Sequence, residues 1–212
     1  MKKPTVAIDL DGVIADTPNH IESGLITKGY DIVSFEVYNP KIRGMTDNKK
    51  AINDVVHDIF TKKNLEVKPY SLYADTLFRE INIMADIVVL TARRKEYHKQ
   101  TREWLDHYIP SVPIKIAHVK SINKPKYVKD NGILCLVEDR LRTANHAARE
   151  GINTFLINRK WNAGRPTHEK VVRISDLSAF QSVLASHCML TSDGVYDMIV
   201  KEHVKNDKDL LC

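Results

Sequence analysis

A chain of 212 residues with 43% hydrophobic content has enough apolar side chain to bury a real core, which excludes a disordered polypeptide and suits one α/β domain carrying an insertion. The formal charge of +5, from 32 basic and 27 acidic residues spread along the sequence, points only weakly to an anionic substrate and does not by itself call for nucleic acid. Cys135, Cys188 and Cys212 form no close-spaced pair, no apolar stretch approaches a membrane span, and Met1-Lys2-Lys3 leads straight into a strand, so the expectation is a cytoplasmic protein with no disulfide framework, zinc site or membrane partner.

The first element organises the rest. Val6, Ala7 and Ile8 form a short apolar run rich in β-branched residues and ended by Asp9-Leu10-Asp11-Gly12, which reads as a buried parallel strand running into a turn. Asp9 and Asp11 therefore emerge at a strand's C-terminal end, where open α/β sheets bind their ligands. Two such close like charges are costly unless neutralised, and the oxygen-preferring Mg²⁺ is a natural partner. An Asp-rich turn in which Gly12 supplies a positive φ is the other reading of the same residues.

Thr17-Pro18 reads as an N-cap followed by proline at the first helical position, with Ile21, Leu25 and Ile26 on one face and an end near Gly29. Tyr30 to Thr46 has no clean periodicity. Asp47 is placed to cap a helix bearing Ile52, Val55, Val56, Ile59 and Phe60, and Ser71 to cap another bearing Leu72, Leu77, Phe78 and Ile81. This segment is far too long for an ordinary βα loop, so residues 17–80 are expected to form a helical cap over a core made of residues 1–16 and 81–185.

Asp86 to Leu90 is the next strand, followed by Thr91-Ala92-Arg93-Arg94 and a helix whose inward face is Tyr97, Thr101, Trp104, Leu105 and Tyr108. Ile114 to Ala117 is a short strand, and Lys124-Pro125 suits a helix start. Ile133 to Val137 is an apolar strand ending in a second acidic pair, Glu138-Asp139. A helix from Leu141 stops at Gly151, Thr154 to Ile157 and Val171 to Ile174 are further strands, and Ser175 is read as the cap of a closing helix. The alternation predicts a Rossmann-like parallel sheet flanked by helices. Residues 186–212 form a C-terminal extension, with a helix expected around Val195 to Val204.

Asp-Leu-Asp-Gly-Val at one strand end, Leu-Thr-Ala-Arg at a second, a lysine ahead of a helix and Glu-Asp after a later strand together resemble the four motifs of the haloacid dehalogenase-like phosphohydrolase superfamily, in order, over the chain up to about residue 185. The resemblance implies that Asp9 is a nucleophile forming an aspartyl-phosphate and that Asp11 is the general acid and base. It implies Mg²⁺ held by Asp9, the Asp11 backbone carbonyl and Asp139, with Glu138 a ligand through water or an acceptor behind the ligands. Thr91 and the N–H of Ala92 would donate to the phosphate, Gly12 would allow its approach, and Arg93 would grip the substrate or form a salt bridge. Lys124 best matches the lysine that neutralises nucleophile and phosphate, with Lys120 and Lys126 as competitors.

Within the superfamily, Asp-Leu-Asp-Gly-Val-Ile-Ala-Asp followed by a helical cap, and Glu-Asp-Arg as last motif, is similar to the 5′(3′)-deoxyribonucleotidases and their bacterial and phage relatives. Those enzymes place a base-stacking aromatic where this chain has Thr17. The expected activity is hydrolysis of a nucleoside monophosphate, with a small phosphorylated substrate favoured over a nucleic-acid end. Thr91-Ala92-Arg93 and the stretch to Trp104 also look like the 3′-phosphatase domain of phage polynucleotide kinase, and the basic residues Lys41, Arg43, Lys49 and Lys50 would serve such a substrate. A module that binds a phosphorylated ligand without turnover stands as the alternative from another class.

Overall fold

The structure is a computed structural model that describes residues 3–35 and 40–190; most of the expected C-terminal extension, with the helix expected around Val195 to Val204, lies outside the described residues. In chain order the elements are β1 (Thr5–Ile8), α1 (Thr17–Thr27), β2 (Ile32–Ser34), β3 (Lys41–Ile42), α2 (Lys49–Lys62), α3 (Ala74–Met84), β4 (Asp86–Thr91), α4 (His98–Tyr108), β5 (Lys115–His118), α5 (Lys124–Asp130), β6 (Cys135–Glu138), α6 (Leu141–Arg149), β7 (Asn153–Ile157), β8 (Val171–Ile174) and α7 (Leu177–Leu190). Six strands form one parallel sheet in the order β5-β4-β1-β6-β7-β8, and helices cover both faces. This is the expected Rossmann-like α/β architecture. Among the described residues no helix is long and apolar enough to cross a membrane.

The pleat sorts side chains between the two faces. Val6 and Ile8 of β1 and Val89 of β4 join a cluster with Phe78 and Ile81 of α3, Trp104 of α4 and Phe180 of α7. Ala7, Leu90 and Leu136 point the other way, against Val128 of α5 and Ala147 of α6. Both faces are dry, which is why the strands read as continuous apolar runs instead of alternating ones.

Strand order reverses at β1. The chain builds outward through β4 and β5, then crosses back to lay β6 on the other side of β1, so the loops leaving β1 and β6 diverge around a crevice. Into the β1-to-β4 connection the chain inserts α1, the β2-β3 hairpin and α2 before α3 returns to the sheet beside α7. Ile21 and Leu25 of α1 and Val55, Ile59 and Phe60 of α2 belong to the same apolar cluster as the sheet face. Gly24 lets the two helices approach closely, since a Cβ there would lie 2.7 Å from Val55.

Local departures from expectation have local causes. Asp16, not Thr17, occupies the N-cap of α1, because the Thr17 hydroxyl turns inward to Asp11. Leu72 is 92% exposed, since α3 begins two residues later and Leu72 lies in the preceding turn. Asp176, not Ser175, caps α7, its Oδ1 accepting the N–H groups of Ser178 and Ala179 at 2.8 and 3.0 Å. The hairpin of β2 and β3 was hidden because its short strands are half exposed and carry no period.

Trp104 links the insertion to the sheet. It is fully buried, and its indole N–H donates to the Val67 carbonyl at 2.7 Å. Trp104→Ala is expected to cost about 3–5 kcal/mol, and Trp104→Phe, which keeps a ring but orphans that carbonyl, about 1–3 kcal/mol; urea midpoints at unchanged slope measure both.

Candidate active site

The loop ends of β1 and β6 bring Asp9, Glu138 and Asp139 together, with one oxygen of each within 4.8 Å of the others. Between them stands Lys124, the first residue of α5, held there because Pro125 suits the next helical position. Its Nζ lies 2.9 Å from Asp9 Oδ1 and 2.7 Å from Glu138 Oε1, and its side chain is fully buried. Lys126 instead pairs with Asp130 on the surface, and Lys120 is exposed. Of the three lysines, only Lys124 reaches the carboxylates.

Glu138 is saturated by protein donors. Its second oxygen accepts the N–H groups of Asp139 and Arg140, each at 3.0 Å. Asp139 is the opposite case: it is fully buried and neither carboxylate oxygen has a hydrogen-bond partner among the described residues. Its backbone carbonyl, by contrast, accepts from Asn162 Nδ2 at 2.7 Å and Trp161 Nε1 at 3.2 Å. Gly12 closes over it with φ +91°; a Cβ there would sit 2.1 Å from Asp139 Oδ2. No other residue allows the β1 loop to lie so close.

The electrostatics follow from burial. Asp9 is pushed up to about 7 by desolvation, with the charges of Glu138 and Asp11 adding to it and Lys124 pulling the other way. Asp139 is driven well above the carboxylate range by burial and then by Glu138 and Asp9. Burial alone would lower Lys124, but Asp9 and Glu138 outweigh it and hold the ammonium above its ordinary value. One ammonium among three buried carboxylates leaves negative charge uncompensated. An all-oxygen donor set with two orphaned oxygens on Asp139 fits a hard divalent cation such as Mg²⁺.

Asp11 faces a different set. Arg93 grips it with both edges of the fork, Nε to Oδ2 at 2.8 Å and Nη2 to Oδ1 at 2.6 Å, and the Thr17 hydroxyl donates to the same carboxylate. Arg93 is buried, its guanidinium 4.1 Å from the Phe60 ring centroid, and its Nη1 has no partner among the described residues. Its N–H donates to Thr91 Oγ1 at 3.1 Å, which leaves the Thr91 hydroxyl proton available to another acceptor. His118 Nδ1, 3.0 Å from the Arg93 carbonyl, must carry the proton of that bond, and burial holds His118 below its usual value.

Asp9, Asp11, Ala92 and Arg93 line a cavity of about 450 Å³ whose opposite wall is α2, through Ile52, Asn53, Val56, His57 and Phe60. Tyr97, Ser121 and Arg140 complete the rim, with His57 Nδ1 3.1 Å from the Tyr97 hydroxyl. None of Lys41, Arg43, Lys49 and Lys50 lines this cavity, and Arg43 is paired with Asp31. Sequence reasoning missed Thr17, which resembled a helix cap, and Asn53 and His57, which carry no signal beyond membership of a helix. It also missed Trp161, Asn162 and Arg159, the last donating to the Gly12 carbonyl at 2.8 Å while lying 3.6 Å from the Tyr70 ring centroid. Their position just past the end of β7 was the available clue.

No protein-family model matches the chain, and no curated protein matches it in sequence. Solved structures do match in fold. D,D-heptose 1,7-bisphosphate phosphatase from Burkholderia thailandensis superposes with a TM-score of 0.54 at 15% identity, covering 87% of this chain and 99% of its own. CbbY from Rhodobacter sphaeroides, solved in complex with phosphate, gives 0.54 at 12% identity over 84% and 96%. L-2-haloacid dehalogenase from Xanthobacter autotrophicus, solved with chloropropionic acid covalently bound, gives 0.53 at 9% identity over 87% and 99%. The chain thus has the fold of the haloacid dehalogenase-like hydrolases over nearly the full length of these structures.

Proposed function

We propose that this protein is a Mg²⁺-dependent phosphomonoester hydrolase working through an aspartyl-phosphate on Asp9. The observation that carries the reading is the pairing of Asp9, which lines the cavity, with the buried Lys124 behind it, beside an Asp139 whose side-chain oxygens have no partner among the described residues. Mg²⁺ would be held by Asp9, Asp139 and the Asp11 backbone carbonyl and would supply charge against the phosphate dianion. Glu138, saturated by Lys124 and two N–H groups, orients the lysine instead of binding the metal.

An Asp9 oxygen attacks phosphorus as the ester P–O bond breaks, and Asp11 gives its proton to the leaving oxygen. Water then attacks the acyl phosphate, Asp11 takes the proton, and Asp9 and inorganic phosphate are released. Thr91 and the N–H of Ala92 donate to the phosphate oxygens and Lys124 offsets their charge. Arg93 holds both Asp11 oxygens, so the carboxyl group must leave that fork before it reaches the leaving oxygen. A substrate oxygen meeting the unpartnered Nη1 of Arg93 competes for that guanidinium and loosens the pair.

The insertion from α1 through α2 acts as the cap, while α3 belongs to the core. With α2 as a wall, the cavity suits one small ester, its apolar part against Val56, Phe60 and Tyr97. A nucleoside monophosphate is the substrate that this size and the motif resemblance favour; the heptose bisphosphatase in the fold comparison makes sugar phosphates the second class to test.

The first expectation is turnover of nucleoside monophosphates, abolished by chelator and by Asp9→Asn in a protein that still melts cooperatively. Absence of turnover on nucleotide, sugar phosphate and para-nitrophenyl phosphate alike would leave a noncatalytic binding module. Arg93→Lys, which keeps the charge but not the fork, is expected to lower kcat/KM by roughly tenfold or more; steady-state kinetics at fixed Mg²⁺ checks it.

The metal has a readout independent of activity. Because the folded-state value of Asp9 lies near 7 and the unfolded one near 3.8, the folded protein binds the extra proton between those values, and stability from this group falls as pH rises through that window. Mg²⁺ displaces the proton, so its stabilising effect grows with pH. A thermal melt is expected to shift upward with Mg²⁺ by several degrees, about 2–4 °C per kcal/mol of linkage, more at pH 8 than at pH 5.5, and not at all in Asp139→Asn.

A further inference from the structure

Beyond the catalytic cavity lies a second concavity of about 400 Å³, formed between α6 and the short turn at residues 121–123. Arg142, His146 and Arg149 stand at i, i+4 and i+7 along α6, so they share one stripe of the helix, and Arg140 precedes them at its N-cap. All four line this groove together with Ser121 and the exposed Ile122. The two concavities are neighbours: Ser121 and Arg140 line both, joined by a hydrogen bond of 3.1 Å from Arg140 Nη1 to Ser121 Oγ.

A basic helix face is usually just solvated, and most of the nearby exposed cations fit that description. Lys126 pairs with Asp130 and Lys129 with Glu150, each at 2.8 Å, which spends their charge locally. Arg142 and Arg149 differ: both are exposed, and neither has a hydrogen-bond or salt-bridge partner among the described residues. Among the described residues no acidic side chain lines the groove. The result is a concave, acid-free strip of about 10 Å of helix that begins at the rim of the phosphate-handling cavity and carries its guanidinium groups unspent.

Resting on the phosphatase reading, we propose that this groove is a second phosphate subsite, binding a phosphate of the substrate other than the one transferred to Asp9. Arg140, at the shared boundary, lies between the two phosphates, and Arg142 and Arg149 receive the distal one by the forked donor geometry that matches phosphate oxygens. Two sources carry that group: the other phosphate of a small bisphosphate, and the internucleotide phosphates of a strand whose terminal phosphate is removed.

The test uses a nucleoside 5′-monophosphate, a nucleoside 3′,5′-bisphosphate and a 3′-phosphorylated trinucleotide. Binding is measured by calorimetry with Mg²⁺ on the Asp9→Asn protein, so it does not depend on turnover, and kcat/KM is measured on the protein without that change. At least one of the two longer ligands is expected to bind about tenfold or more tightly than the monophosphate, with an advantage that shrinks as salt rises. The pair of substitutions Arg142→Ala and Arg149→Ala removes that advantage and leaves monophosphate binding and kcat/KM within about twofold, since both side chains are exposed and outside the catalytic cavity. Tighter binding of the bisphosphate than of the trinucleotide assigns the groove to a small molecule, and the reverse order to a strand end. Equal affinity for all three ligands, or an advantage that survives the double substitution, overturns the subsite. Failure of the phosphatase reading is separate: it appears as no turnover of any of the three, whatever the binding data say.

Discussion

The ammonium of Lys124, buried between Asp9 and Glu138, is the interaction on which the rest of the site depends. Three carboxylates converge there out of contact with water, an arrangement that desolvation and mutual repulsion oppose. Among the described residues Lys124 is the cation placed among them, at 2.9 and 2.7 Å from two of the three. Removing the Lys124 ammonium costs about 3–5 kcal/mol because two buried carboxylates lose their partner. Glu138 passes the constraint onward, since its other oxygen holds the N–H groups of Asp139 and Arg140 and so sets where the third carboxylate points.

What that leaves is a deliberate-looking deficit at Asp139. Gly12 presses against it from one side, and Trp161 and Asn162 hold its backbone from another, yet its side-chain oxygens receive nothing from the described residues. A fold that accepts such a cost in a closed site does so at a position where a ligand completes the balance. The loops that meet there come from β1, β6 and β7, neighbours in the sheet but far apart in the chain. The reversal of strand order at β1 is what opens room for them.

Asp11 lies two residues from Asp9 but belongs to the insertion as much as to the sheet. Its partners are Thr17 at the start of α1 and Arg93 after β4, and Arg93 in turn lies on Phe60 of α2. The cavity wall and the ion pair thus share α2, so the helix that walls the cavity also bears on the hold on Asp11. Any displacement of α2 would disturb the surface under Arg93 and, through it, the hold on Asp11.

Much of the fold was legible because it rests on patterns local in the chain: apolar runs bounded by Asp and Gly mark the buried parallel strands, and periodic stripes mark the helices. The clustering of acids at strand ends was likewise readable, because strand polarity alone puts Asp9, Thr91 and Glu138-Asp139 on one edge of the sheet. The hairpin of β2 and β3, with half-exposed short strands, had no such pattern. Short-range cap chemistry misled where a long-range partner won, as at Thr17, whose hydroxyl serves Asp11 instead of its own helix. Only the tertiary structure decided that Lys124 and not Lys126 faces Asp9, that Arg93 is clamped to Asp11, that Asn53 and His57 line the cavity, and that Arg142 and Arg149 line the groove beside it. Each of those depends on how a helix face or a loop turns toward residues distant in the chain, a choice made by packing and not by any preference of the residues themselves.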